Sequence, residues 1–245
     1  GNANFGYFGG GWTPNPTTIQ RIDFADDTAT ALAKSNMSRG SQNLDATGNQ
    51  NFGYFGGGDP VVSTVDRLDY SNDTTDAVTK GPLSVARFTL RATGNANFGY
   101  FGGGLTPSII STIDRVDYSN DTATAEVKGP LSSARYNVAA TGNQNFGYFG
   151  GGFPGPSTTV DRVDYSNDTA TAPAKGPLTV ARWKLAATGT SSFGYFGGGR
   201  TSSNISTVDR IDYSNDTVTA TAVGPLSAAR YSLAAASAAA NALPQ

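Results

Sequence analysis

The chain has 245 residues, of which 15% are charged, with 17 basic and 19 acidic side chains and a net charge of −2; no basic field exists to hold a nucleic-acid backbone, and nucleic-acid partners are not expected. It holds neither cysteine nor histidine, which removes a disulfide framework, the usual zinc and copper ligands, and a Ser–His or Cys–His nucleophile pair, so no cofactor and no metal are expected. No apolar run approaches the ~18 residues that span a bilayer, so no membrane span is expected either.

The phrase FGYFGGG begins at Phe5 and returns at Phe52, Phe98, Phe146 and Phe193, at spacings of 47, 46, 48 and 47 residues. Self-similarity at such a period marks a repeat architecture. In each unit FGYFGG predicts a strand whose glycines permit a sharp turn. TVDRVDY then alternates Val/Ile with charged residues at the period of a strand. SNDT is turn chemistry, because Asn and Asp side chains bond their own backbone. TATA and its neighbours predict a short, weak strand, and GP breaks the chain. A final run such as WKLAAT predicts a fourth strand. The first unit is the most degraded, with Ser35 to Gln42 in place of the GPLSxARY phrase. Four strands in a unit of this length are what one propeller blade requires.

The chain opens on the second strand of a unit, and Arg230 to Ala236 reads as a first strand. These pieces complete each other. The expectation is that the C-terminal run pairs with Phe5–Gly9 and closes five four-stranded blades into a single all-β domain over residues 1–245. Closure would remove sheet edges that otherwise aggregate.

The motifs resemble those of kelch repeats: a diglycine after an apolar strand (Gly56–Gly57), an acidic–aromatic pair (Asp69–Tyr70) and a Pro-hydrophobic…Arg phrase (Pro82–Leu83…Arg87), recurring along nearly the whole chain. The tryptophan that many kelch repeats carry between their third and fourth strands is replaced here by Ala or Thr. The resemblance implies a five-bladed β-propeller of kelch-like blades, with the loops between second and third strands on a partner-binding face. Phrases such as STVDRVDYSNDTATA and KGPLS are also similar to repeat proteins of marine phages and bacteria. That likeness implies a virion-associated or extracellular protein; the residues themselves fix no compartment.

Residues at equivalent positions in every unit are read as architecture, and departures from the pattern as candidates for function. Of 2 Trp, 11 Tyr and 13 Phe, all but Trp12 and Phe153 occupy recurring positions. Both follow GGG directly. That position reads Trp12, Asp59, Leu105, Phe153 and Arg200, and no other varies so widely in chemistry. Recurring Arg21, Arg67, Arg115, Arg162 and Arg210, and the later Arg87, Arg135, Arg182 and Arg230, are read as clamps between units. Asp45 and Arg91 replace Ala at one position of adjacent inner strands and are expected to pair; Lys184 is a further outlier.

FGGG is not followed by a helix whose amides would cradle phosphate, and DYSNDT lacks the spacing of a calcium loop. The function expected is therefore a non-catalytic binding module that meets a glycan or a protein through its variable loops, with Trp12, Asp59, Leu105, Phe153, Arg200 and Lys184 as the binding residues. The alternatives are a structural or decoration subunit of a larger, viral particle, and a carboxylate glycosidase drawing on Asp59, Asp45, Asp76, Asp26 or Glu126.

Overall fold

A computed structural model describes residues 1–12 and 16–235. Five antiparallel sheets of three or four strands follow one another along the chain. The first holds β1 (Phe5–Gly9), β2 (Thr18–Asp23) and β3 (Leu32–Asn36), and the second β4 (Asp45–Gly48), β5 (Phe52–Gly56), β6 (Val65–Asp69) and β7 (Val78–Thr79). The third holds β8 (Arg91–Gly94), β9 (Phe98–Gly102), β10 (Ile113–Asp117) and β11 (Glu126–Lys128). The fourth holds β12 (Ala139–Gly142), β13 (Phe146–Gly150) and β14 (Val160–Asp164), and the fifth β15 (Ala186–Gly189), β16 (Phe193–Gly197), β17 (Val208–Asp212) and β18 (Thr221–Val223). Among the described residues no helix is long and apolar enough to cross a membrane.

Within each sheet every strand lies beside its neighbour in sequence, and the register repeats from sheet to sheet except for a shift between β2 and β3, where Gln20 faces Ala33 but Ile19 faces Ser35. Phe52 faces Asp69 and Gly56 faces Val65 in the second sheet, and Phe98 with Asp117 and Gly102 with Ile113 repeat the pairing in the third. The fourth sheet lacks an outer strand because Pro173 stands where its neighbours have Val78 or Glu126. Proline offers no N–H to a ladder, and only the single bridge Asp161–Ala174 remains.

The core is divided among the interfaces between sheets. Tyr54, Val65, Leu83, Leu90, Ala92, Phe101 and Val116 form one cluster that joins the second sheet to the third, and Tyr148, Val160, Leu178, Leu185, Phe196 and Ile211 form another joining the fourth to the fifth. Glycine in β5 and its equivalents makes this close approach possible. A Cβ on Gly56 would lie 2.7 Å from the ring of Phe101, and one on Gly102 would lie 2.7 Å from that of Phe149.

Seven of the nine recurring arginines clamp one sheet to the next, whereas Arg210 and Arg230 form no ion pair among the described residues. Arg87 and Asp114 are fully buried and meet at 2.9 Å, with a second guanidinium nitrogen on the Phe101 carbonyl. Arg135–Asp161 and Arg182–Asp209 repeat the pair at 2.6 and 3.0 Å. Ser41 stands in place of this arginine in the first unit. There Asp66 is satisfied by the Ser38 amide and hydroxyl and by Thr79.

The closing pair expected between Arg230–Ala236 and Phe5–Gly9 is not formed. Ala236 lies outside the described residues, residues 231–235 form no strand, and β1 is an edge of its three-stranded sheet. The C-terminal run is held by the fifth sheet instead. Gly199 N–H donates to the Arg230 carbonyl at 2.9 Å, and Ser232 N–H to the Lys184 carbonyl at 2.9 Å.

Candidate functional site

In the second to fifth units the residue after the GGG turn bridges back to the residue three positions before the inner strand. Gln42 pairs with Asp59, Phe88 with Leu105, Tyr136 with Phe153 and Trp183 with Arg200. The glycines make the turn possible: Gly57 and Gly58 hold φ of 67° and 117°, in the left-handed half of the map that glycine tolerates best. Asp59, Leu105, Phe153 and Arg200 therefore sit in backbone bridges at matching stations of successive sheets.

One step further on, two residues ahead of β4, β8, β12 and β15 and at the matching place in the C-terminal run, stands a residue of left-handed backbone. Asn43, Thr89, Asn137, Lys184 and Ser232 have φ between 52° and 56°. The last four link to the preceding unit through backbone groups: Thr89 N–H donates to Asn43 O at 2.8 Å, Asn137 to Thr89 at 3.0 Å, Lys184 to Asn137 at 3.0 Å and Ser232 to Lys184 at 2.9 Å.

These stations carry a mixed aromatic and cationic surface. The Phe153 ring lies between Tyr136, at 5.5 Å, and Trp183, at 5.4 Å. Lys184 places its ammonium 4.9 Å from the Trp183 ring and 5.5 Å from that of Tyr231. The Arg200 guanidinium also lies 5.5 Å from Tyr231. Contacts of this kind contribute about 0.5–1 kcal/mol where exposed and more where desolvated. Neither cation forms an ion pair among the described residues, whereas Arg21, Arg67, Arg115 and Arg162 each do.

Of the predicted site residues, Phe153, Arg200 and Lys184 are thus brought together. Leu105 stands beside Phe88 on the third sheet, and Asp59 accepts a 2.8 Å hydrogen bond from the Gln42 side chain on the second. Trp12 is 76% exposed, more than any other large apolar side chain described. Tyr136, Trp183 and Tyr231, read from the sequence as architecture, are part of the same surface. An aromatic recurs at that position, as a purely structural residue does. The signal that would have found them is their place two residues before the Leu or Val that leads into the Ala-rich inner run, opposite the GGG turn.

The expected Asp45–Arg91 ion pair is absent. Asp45 accepts the Ala92 amide at 2.7 Å, and Arg91 donates to the Leu90 carbonyl at 2.7 Å. Burial pushes the Asp45 carboxyl above its ordinary range, against the pull of Arg91 and the backbone amides. Both residues border a cavity of about 1020 Å³ whose lining includes Asn43, Asn137, Lys184, the alanines of β12 and β15, and Phe8 of β1. The other carboxylates singled out are engaged singly: Asp76 accepts from Asn36, and Glu126 pairs with Arg115 and Lys128. Among the described residues no three His, Cys, Asp or Glu side chains are grouped to hold a metal ion.

No protein-family model matches the chain, and no curated protein matches it either.

Proposed function

We propose that the five sheets are the blades of a kelch-like propeller, closed by the run after Arg230 against β1, and that the molecule is a non-catalytic binding module. The face that binds carries the five post-glycine residues, and its ligand is a glycan. The same register between the FGYFG strand and its successor in every unit, and inner-strand contacts of β4 with β8, β8 with β12 and β12 with β15, support the propeller reading.

One observation carries the binding reading: Tyr136, Phe153, Trp183, Lys184, Arg200 and Tyr231 form one continuous surface at the loop side. Aromatic rings half-exposed on a rigid frame give a large contact area with little conformational entropy to lose. Loops held by a rigid scaffold are where recognition concentrates. The test is a glycan array probed with the wild type, Trp12→Ala and Phe153→Ala. The wild type is expected to bind a defined set of sugars and both variants to lose it. Identical profiles for all three proteins would remove the loop face as the binding surface.

A further inference from the structure

We infer that the junction between the fifth sheet and the first is closed by Asp27 receiving Tyr195 and Arg210, with Phe8 seated on Gly197, and that closure brings Trp12 beside Tyr231 to form a subsite for a carboxylated saccharide. The inference rests on the closed propeller and the glycan-binding face proposed above.

Every other junction shows the pattern. Asp73 accepts Tyr7 Oη at 3.0 Å and Arg21 Nη1 at 2.8 Å. Asp121 accepts Tyr54 and Arg67, Asp168 accepts Tyr100 and Arg115, and Asp216 accepts Tyr148 and Arg162. By position in the repeat the fifth set is Asp27, Tyr195 and Arg210. Arg210 lies over the Phe193 ring at 4.9 Å and forms no ion pair among the described residues.

Packing repeats the same vacancy. The Phe55, Phe101, Phe149 and Phe196 rings stand 2.6 to 2.9 Å from the Cβ positions of Gly9, Gly56, Gly102 and Gly150. The equivalent glycine of the fifth sheet, Gly197, meets nothing closer than Val208 at 3.6 Å. Phe8 is 48% exposed, whereas its four equivalents are at most 7% exposed. Gly81, Gly129 and Gly176 each donate a backbone N–H to the carbonyl of the next unit's clamp aspartate, at 2.7 to 2.8 Å. Their counterpart Gly224 has nothing within 4 Å of its Cβ position, and Asp27 O is the acceptor that the repeat assigns to it. Unfilled donors, a bare phenylalanine and an empty glycine seat therefore coincide at one junction.

The chain's own first sheet is the occupant. Arg230, Ser232 and Leu233 already sit on the fifth sheet as Arg87, Thr89 and Leu90 sit on the second: Leu233 lies 2.7 Å from the Cβ position of Gly198, and Leu90 lies 2.6 Å from that of Gly57. Ala234 and Ala235 line the same cavity as Tyr7, Phe8 and Gly9 of β1, and a partner on the same chain has an effective concentration in the millimolar range, far above that of a second copy. The junction keeps fewer polar contacts than the others. Gln20 replaces the aspartate that would face Arg230, Val223 replaces a lysine, and Phe24 lacks the hydroxyl that would meet Thr188, whose Oγ1 has no partner among the described residues.

The register of the four formed bridges assigns Trp12 to Tyr231. That pair would add a second ring to the one Lys184 and Arg200 already flank. Two rings suit the apolar face of a pyranose, and two cations without carboxylate partners suit an acidic group on it.

Trp183→Phe leaves Trp12 as the single indole and makes the test direct. In this background acrylamide is expected to quench Trp12 several-fold less than free indole. Asp27→Arg should abolish the protection without changing the circular dichroism, and Asp27→Arg/Arg210→Asp should restore it in a monomer. Full quenching in the background protein, no effect of Asp27→Arg, or protection only in a dimer would overturn the junction. Trigalacturonic acid is then titrated against the wild type, with maltotriose as the neutral control. Binding of the acidic trimer alone is expected. Preference for the neutral sugar, or binding of neither with Trp12 protected, overturns the ligand class and leaves the junction standing.

Discussion

Tyr54 donates its phenolic hydrogen to Asp121 Oδ2 at 2.9 Å, and the two residues belong to successive sheets 67 positions apart in sequence. Arg67 reaches the same oxygen at 2.7 Å, and Lys80 lies 3.1 Å from the other. One carboxylate thus gathers three donors from the preceding unit, and Asp73, Asp168 and Asp216 do the same. Asp121→Ala leaves these donors facing an unpaired site. It should cost about 3 kcal/mol, the scale for removing one partner of a buried pair. Urea unfolding monitored by tyrosine fluorescence would measure it.

The same cluster sets an acid limb. Burial raises the Asp121 carboxyl, but hydrogen bonds from Tyr54 and Lys80 and the charge of Arg67 outweigh it and hold the group below its usual range; Asp73 is held down in the same way. A depressed carboxylate contributes stability that is present above its unfolded value, near 3.9, and is lost as pH falls through the folded one. The urea midpoint should therefore decline below about pH 4, and Asp73→Asn/Asp121→Asn should show a shallower decline.

Tyrosine gives the opposite limb. Burial first, then the neighbouring carboxylates, push Tyr54, Tyr100 and Tyr148 well above the ordinary phenol range. An acid whose folded value is raised stabilises the fold below its unfolded value and loses that contribution as pH rises. Stability should start to fall above about pH 10. Tyr100→Phe should remove part of that slope, as read by urea titration between neutral and alkaline pH.

Arg87 and Asp114 test how far the buried pair depends on both partners. Asp114→Asn leaves a fully buried guanidinium without its countercharge and should cost about 3–5 kcal/mol. Asp66→Asn should cost less, because the partners of Asp66 are Ser38 and Thr79, and Ser41 occupies the arginine position. Thermal unfolding of the two variants would rank them.

Gly102→Ala should destabilise by about 1–3 kcal/mol, the cost of overpacking a filled seat, since its Cβ would stand 2.7 Å from the Phe149 ring. Differential scanning calorimetry is a sufficient readout.

The five units and their strands were legible because glycine, aromatic and Asx-turn signals recur at fixed places. The loss of an outer strand at Pro173 was not, since one proline inside a repeat otherwise intact leaves the pattern readable. The post-glycine position was legible as a site because its chemistry varies from Trp12 to Arg200. Its bridge partners Tyr136 and Trp183 were not, because a residue serving both packing and recognition recurs as a purely structural one does. Asp45 and Arg91 misled for a related reason: opposite charges at equivalent positions suggest a pair, but each found a backbone partner first.

The links made by Asn43, Thr89, Asn137, Lys184 and Ser232 use peptide groups only. Assembly at that station is indifferent to side-chain identity beyond tolerance of a left-handed backbone. A lineage carrying this fold is therefore free to rewrite the chemistry around the cavity mouth, one unit at a time, without renegotiating how the units hold together.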